Sequence, residues 1–149
     1  MVFRDHQASF GPHLTLDGKN CNIRKLSDFN FVYTLLDNLP SSLGMTKILP
    51  PVVVKFKDKW AKTEGVSGFV MIAESHISMH TFPDERYVFI DVFSCVPFDI
   101  EKVTNILKES FEMKDATINL VERGKDFSKN ISHMPQMAVS SRKLLKQKF

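Results

Sequence analysis

The sequence predicts an α+β fold, a two-layer sandwich in which an antiparallel sheet carries two helices on one face. Three successive segments rich in β-branched and aromatic residues, 68–73, 75–82 and 87–95, are joined by short connections. Short connections predict antiparallel pairing, because a parallel crossover needs about a dozen residues or more. Two amphipathic helical patterns, at 27–40 and 99–111, flank these segments. A chain of 149 residues is expected to form one domain around one core.

The elements follow in chain order. Residues 13–17 predict a short strand, and Ser27 is a suitable N-cap for a first helix that runs to Pro40. Its apolar positions at helical spacing are Phe29, Val32, Leu36 and Leu39. Residues 52–54 follow two prolines and predict an edge strand, because proline cannot donate to a central ladder. Asp99 can cap the second helix, and residues 116–122 predict a last strand.

Composition narrows the class of protein. Cys21 and Cys95 suggest no secreted disulfide framework, so we expect a reducing compartment and a cytoplasmic protein. No stretch approaches the roughly 18 apolar residues of a membrane span, and residues 1–10 lack a signal-peptide core. The net charge of +3 comes largely from the C-terminal end. We therefore expect a domain at 1–124 and a solvated basic extension at 125–149, with no nucleic-acid or membrane partner.

The motifs that carry chemistry lie between residues 65 and 95. Glu74 and Ser75 open the run Glu-Ser-His-Ile-Ser-Met-His-Thr-Phe-Pro, whose second histidine is His80. Ser67 precedes them in Gly-Val-Ser-Gly, and Cys95 ends Asp-Val-Phe-Ser-Cys, twenty residues after Ser75. Together with Gly-Pro-His-Leu at 11–14, Asp17 and Cys21, this ordered set resembles the prokaryotic S-adenosylmethionine decarboxylases, from residue 11 to about residue 123.

The resemblance implies that the Glu74–Ser75 bond breaks and that Ser75 becomes a covalent pyruvoyl cofactor. Decarboxylation of an amino acid leaves a carbanion, which needs an electron sink that no ordinary side chain supplies. A ketone that forms a Schiff base with the substrate amine provides one. Attack of the Ser75 hydroxyl on the Glu74 carbonyl would give an ester, and elimination followed by hydrolysis would give the pyruvoyl group. The products would be residues 1–74 and 75–149.

The resemblance also assigns roles to individual residues. His80 and Ser67 match the family's processing residues, and Cys95 matches the acid that protonates the product carbon. Phe82 and Asp84, together with Asp17 near the N-terminus, match positions at the substrate pocket, where an aromatic ring would stack on adenine. The implied substrate is S-adenosylmethionine, the product would supply the aminopropyl donor for spermidine, and the implied assembly is a homodimer with active sites near the interface.

Two departures from the family pattern keep other functions open. The chain has Phe82-Pro83-Asp84 where many relatives have Trp-Pro-Glu, and Val96 where a glycine often follows the cysteine. The same pyruvoyl chemistry on arginine or ornithine is one alternative. A non-catalytic paralogue that regulates an active partner is another, although the intact Ser75, His80 and Cys95 argue against it.

Several of these residues also have structural interpretations. His76 and His80 are four apart, but they fall in a predicted strand without further ligands at standard spacing, so no metal is expected. Cys95 on its own would suit a buried core position. Ser67 could simply bond to backbone, and Asp17, Phe82 and Asp84 could be solvated or packing residues. His13 is assigned no chemistry.

Overall fold

The computed structural model describes residues 10–57, 59–60, 64–125 and 127. Within this part of the chain there are six strands and three helices. They are, in chain order, β1 (Gly11–Lys19), α1 (Ile23–Ser27), α2 (Phe29–Ser42), β2 (Val52–Lys57), β3 (Glu64–Ile72), β4 (Ser75–Phe82), β5 (Tyr87–Phe93), α3 (Ile100–Phe111) and β6 (Asp115–Arg123).

The strands form a single sheet in the order β2-β3-β4-β5-β1-β6, and every neighbouring pair is antiparallel. This confirms the predicted α+β class and the three consecutive antiparallel strands. β1 lies between β5 and β6, so it is an interior strand next to the edge strand β6. The sheet order therefore brings the first strand of the chain beside the strand that leads to Cys95.

The helices pack on one face of the sheet, where alternate residues of the central strands are fully buried. The core consists of sheet residues that include Leu14, Leu16, Val66, Val70, Ile77, Met79, Val88, Ile90 and Val92, and of helix residues that include Val32, Leu36, Leu39, Val103, Leu107 and Phe111. The residues between them point to the opposite face. We call this the open face, because no described helix packs on it.

The first predicted helix corresponds to α2, and a short helix that was not predicted, α1, precedes it. The expected cap Ser27 is the last residue of α1, and its hydroxyl donates to the Ile23 carbonyl at 2.9 Å. Asp28 is the N-cap of α2, since its carboxylate accepts from the Phe31 N–H at 3.1 Å. The prediction of Ser27 as the N-cap of this helix was wrong, because Ser27 ends α1 and the next residue, Asp28, caps α2. Pro40 lies inside α2, which continues to Ser42, so the helix does not end at the proline, and the Leu36 carbonyl lacks the usual donor from residue 40.

Two strand boundaries matter for the site. β3 begins at Glu64, four residues earlier than predicted, so Ser67 lies within the strand. β5 ends at Phe93, so Cys95 lies in the following loop and not in the strand. The second predicted helix is confirmed as α3, whose cap Asp99 accepts from the Lys102 N–H at 2.9 Å.

The predicted extension at 125–149 lies outside the described residues except for Lys125 and Phe127. Among the helices of the described part, none combines the length and apolar character needed to cross a membrane.

Candidate active site

The Glu74–Ser75 bond lies in the tight turn between β3 and β4. Ile72 and Ser75 are the last paired residues of the two strands, so Ala73 and Glu74 alone form the loop. The Ala73 N–H donates to the Thr46 carbonyl at 2.8 Å, which ties the turn to the segment before β2. Glu74 is exposed and has a left-handed backbone with φ of 68°. The bond predicted to break is therefore presented at one end of the sheet.

Cys95 lies beside this turn. Its backbone N–H donates to the Ser75 Oγ at 2.9 Å. Its thiol donates to the Glu74 Oε2 at 3.1 Å and lies 3.6 Å from the Ala73 carbonyl oxygen. The structure thus brings together three residues that the sequence singled out, the two that flank the bond and the proposed acid.

The start of β1 holds the loop that carries Cys95. The Ser94 N–H donates to the Pro12 carbonyl at 3.1 Å. At the neighbouring Gly11, a Cβ atom would lie only 1.9 Å from the Ser94 carbonyl oxygen and 2.9 Å from the Cys95 Cα. Glycine is needed here because the two backbones approach too closely for any side chain. The Gly-Pro-His-Leu motif therefore contributes to the site by positioning Cys95.

Ser67 and His80 form a separate pair on the open face. They are cross-strand partners on β3 and β4, with His80 Nδ1 2.9 Å from Ser67 Oγ. The serine donates when the ring presents an unprotonated Nδ1, and it accepts when Nδ1 carries the proton. Five strand positions separate His80 from Ser75, about 16 Å at the usual rise, and an odd separation points the two side chains to opposite faces. Within one chain, this pair therefore lies away from the bond predicted to break.

A largely apolar depression surrounds this pair. It has a volume of about 410 Å³, which is within the range of small-molecule sites. Its walls come from β2, β3 and β4, namely Val52, Val54, Ser67, Gly68, Phe69, His76, Ser78 and His80. The depression offers a place for an apolar ring next to the polar Ser67–His80 pair.

The predicted substrate residues are divided between two places. The ring of Phe82 packs edge-on against Phe89 at 5.6 Å between centroids. Phe89 is the cross-strand partner of both His80 and Asp17, so Asp17 and Phe82 share one end of the open face with His80. Asp84, in contrast, is exposed in the β4–β5 turn and lines a different cavity of about 220 Å³.

Sequence reasoning missed a polar network in the middle of the open face. Arg123 Nη1 lies 3.2 Å from His13 Nδ1, and His13 Nε2 lies 3.2 Å from Asp91 Oδ1. Arginine can only donate, so Nδ1 accepts and Nε2 carries the proton towards the carboxylate. Ser78 also donates to Asp91 at 3.3 Å. The strand order is needed to see this network, because its members come from β1, β4, β5 and β6.

The second cysteine lies apart from this chemistry. Cys21 is fully buried, and burial raises the pKa of its thiol to about 11, against a smaller lowering by the nearby Arg86 charge. The thiol therefore stays protonated near neutral pH. In the residues that the structure describes, no group of three or more histidine, cysteine or acidic side chains is placed to hold a metal ion.

Comparisons with known proteins identify the family of this chain. Residues 12–124 match the family model described as S-adenosylmethionine decarboxylase. A curated S-adenosylmethionine decarboxylase proenzyme from Clostridium botulinum is 36% identical over 116 residues, which are 77% of this chain and 95% of that protein. Another from Pyrococcus furiosus is 30% identical over 117 residues, 78% of this chain and 80% of that protein.

The fold also matches a solved structure. A crystal structure of the adenosylmethionine decarboxylase from Aquifex aeolicus VF5 aligns with a TM-score of 0.63 at 23% identity. The alignment covers 78% of this chain and 92% of that one, so the two proteins share the fold. The family model and the curated relatives show that the chain belongs to the S-adenosylmethionine decarboxylase family.

Proposed function

We propose that this protein cleaves itself between Glu74 and Ser75 and then decarboxylates S-adenosylmethionine, supplying the aminopropyl donor for spermidine. The observation that carries the proposal is the Ser75 hydroxyl held by the Cys95 N–H at the turn that contains the bond. The curated relatives named as proenzymes support it. None of those relatives is named as an arginine or ornithine decarboxylase or as a regulatory protein, so the comparisons do not support these alternatives.

The first chemical step is an acyl shift within the turn. The Ser75 Oγ attacks the Glu74 carbonyl carbon, a C–O bond forms, the C–N bond breaks, and the hydroxyl proton ends on the Ser75 nitrogen. The Cys95 N–H keeps the oxygen at the turn, which reduces the entropic cost of the attack. A base and an oxyanion donor are also required, and Ser67 and His80 are proposed for these tasks.

The later steps use the residues beside position 75. A pyruvoyl group derived from Ser75 would supply the electron sink for decarboxylation. Position 75 is suited to carry it, because it starts β4 and contacts the Cys95 backbone directly. The Cys95 thiol is the proposed acid for the product carbon. Because this role requires a free thiol, we also propose that the protein acts in a reducing compartment, the cytoplasm.

We propose further that the open face is covered by a second copy of the chain. Six large apolar residues on this face are 41–54% exposed, and these are Val52, Val54, Phe69, Met71, Phe89 and Val121. An apolar sheet face of this size is normally buried against a partner. The separation of Ser67 and His80 from Ser75 favours a second copy as that partner, since one protomer lacks a complete site.

The direction of the strands indicates how such a dimer would complete the site. A two-fold axis that lies between the two sheets and crosses the strands reverses their direction. The end with Ser75 and Cys95 in one protomer then lies over the end with His80 in its partner, so the partner's His80 would approach the exposed Glu74–Ser75 turn from the open face. Phe82 and Asp17 would come with His80 and form a wall of the substrate pocket, where Phe82 can stack on adenine. The proposal for Asp84 rests on family resemblance alone, given its different cavity.

Intact-mass measurement of the purified protein tests the proposed cleavage. We expect two chains that correspond to residues 1–74 and 75–149, with the second blocked at its N-terminus. Ser75→Ala should remain a single chain, because the attacking hydroxyl is gone. A wild-type protein that keeps its full mass after prolonged incubation would refute self-processing and favour a non-enzymatic role.

A further inference from the structure

Glu74, the residue before the bond proposed to break, has an unusual backbone. Its φ of 68° lies in the left-handed region, which disfavours residues with a Cβ atom. In a two-residue turn, this position is normally filled by glycine, or by asparagine, which tolerates it. Neither occurs here. Glutamate is therefore an unusual residue for this turn position, and it is the residue whose carbonyl forms the Glu74–Ser75 bond proposed to break.

The surroundings prevent this turn from relaxing. On one side, the Ala73 N–H is bound to the Thr46 carbonyl at 2.8 Å, and on the other, the Ser75 Oγ accepts from the Cys95 N–H at 2.9 Å. The paired residues Ile72 and Ser75 close the ladder immediately beside the loop. Unfavourable backbone conformations persist where neighbouring structure enforces them, and they are found at functional sites.

We propose that the left-handed backbone of Glu74 stores strain that the acyl shift releases, so that Glu74 accelerates its own cleavage. This proposal rests on the proposed self-processing. In the shift, the amide C–N bond that closes the turn is replaced by an ester through Oγ and Cβ. The path from the Glu74 carbonyl carbon to the Ser75 Cα becomes one atom longer, and the turn can relax. No redox partner is needed, because one proton moves from oxygen to nitrogen.

The carboxylate of Glu74 offers a competing explanation for why glutamate occupies position 74. It accepts from the Cys95 thiol at 3.1 Å, so glutamate could be required for its charge and not for its backbone. The two explanations predict different substitution series. Glutamine keeps the disfavoured backbone and removes the charge, whereas glycine and asparagine remove or lessen the backbone strain.

The test is a pulse-chase in cell-free translation, in which the cleavage rate of newly made chains is followed by mass. Glu74→Gly should cleave about 5- to 30-fold more slowly than wild type, as expected if the strain of a left-handed residue is lost from the driving force. Glu74→Asn should be slowed in the same direction, and Glu74→Gln should stay within about twofold. Glu85→Gly is the matched control, an exposed turn residue without a positive φ, and should leave the rate unchanged.

A second measurement asks whether the strain exists at all. In the uncleavable Ser75→Ala background, adding Glu74→Gly should raise the urea midpoint of unfolding, whereas adding Glu85→Gly should lower it. An unchanged or lower midpoint for Glu74→Gly would overturn the inference. So would glycine and asparagine variants that cleave at the wild-type rate, or a glutamine variant as slow as glycine. A wild-type chain that never cleaves would refute the proposed function itself.

Discussion

At the scale of single residues, the backbone of Cys95 and its side chain have different contacts. The N–H holds the Ser75 hydroxyl, whereas the thiol contacts Glu74 and the Ala73 carbonyl. The proposed cleavage needs the Ser75 hydroxyl in place, and the Cys95 backbone N–H that holds it does not depend on the side chain. The proposed turnover needs an acid, and the thiol is the group proposed for that role. Processing and catalysis can therefore be separated by one substitution.

Cys95→Ala should still cleave at Ser75 but lose about 10²- to 10⁴-fold in turnover, the range for a positioned general acid. The measurement combines intact mass with release of carbon dioxide from S-adenosylmethionine. Val96→Ala is a matched control, since the exposed neighbour should affect neither readout. Undiminished turnover in Cys95→Ala would show that another group is the acid.

The two cysteines should differ sharply in reactivity. Cys21 is buried with a pKa of about 11, so at pH 8 very little of it is the reactive thiolate. Cys95 is partly exposed. Brief treatment with iodoacetamide should label Cys95 alone, and both thiols should react in denaturant, with peptide mass spectrometry locating the label. Labelling of native Cys21 at a rate similar to Cys95 would contradict the buried position.

At the scale of elements, the junction of α1 and α2 depends on one residue. Asp28 ends α1 through its N–H, which donates to the Lys25 carbonyl, and begins α2 through its carboxylate. The Thr81 hydroxyl donates to the Leu26 carbonyl at 2.7 Å and thereby ties α1 to the sheet. The direction change at Asp28 lets both helices pack on the same face.

Asp28→Ala should lower the free energy of unfolding by about 1 kcal/mol, the usual cost of a lost N-cap. Urea unfolding in the Ser75→Ala background gives the comparison on an uncleaved chain. Glu109→Ala, an exposed substitution within α3, serves as control and should change the stability by less than about 0.5 kcal/mol. Equal effects of the two changes would argue against the capping contact.

Local pattern predicted most of these elements but not their exact limits. Ser27 and Asp28 are both suitable caps, and the sequence alone did not distinguish them. The position of the cap depends on α1, which has only five residues and is too short to be recognised by its apolar spacing. The Thr81 hydroxyl, 55 residues away in the chain, holds α1 in place through the Leu26 carbonyl. Runs of β-branched and aromatic residues predicted the strands, but β1 and β6 extend further because each pairs with the other along its length.

At the scale of the whole molecule, motif resemblance named the site residues, and the sheet order arranged them. The grouping of Glu74, Ser75 and Cys95 could be anticipated, because the family resemblance assigns roles to all three. The network of His13, Asp91 and Arg123 could not, because it depends on β1 lying beside both β5 and β6. The sequence also did not show that Ser67 and His80 lie on the open face, five strand positions away from the Glu74–Ser75 bond.

The last prediction tests whether two copies share each site. When expressed alone, the His80→Ala chain should stay uncleaved because it lacks the histidine. The Ser75→Ala chain should also stay uncleaved, because it lacks the hydroxyl that attacks. Co-expressed with different tags, they should form mixed dimers in which the His80→Ala chain is cleaved by its partner's intact His80. A partner carrying both substitutions is the control and should restore nothing. If the His80→Ala chain stays whole in mixed dimers confirmed by both tags, the histidine acts within its own protomer or not at all, and the proposed arrangement of the two sheets is wrong.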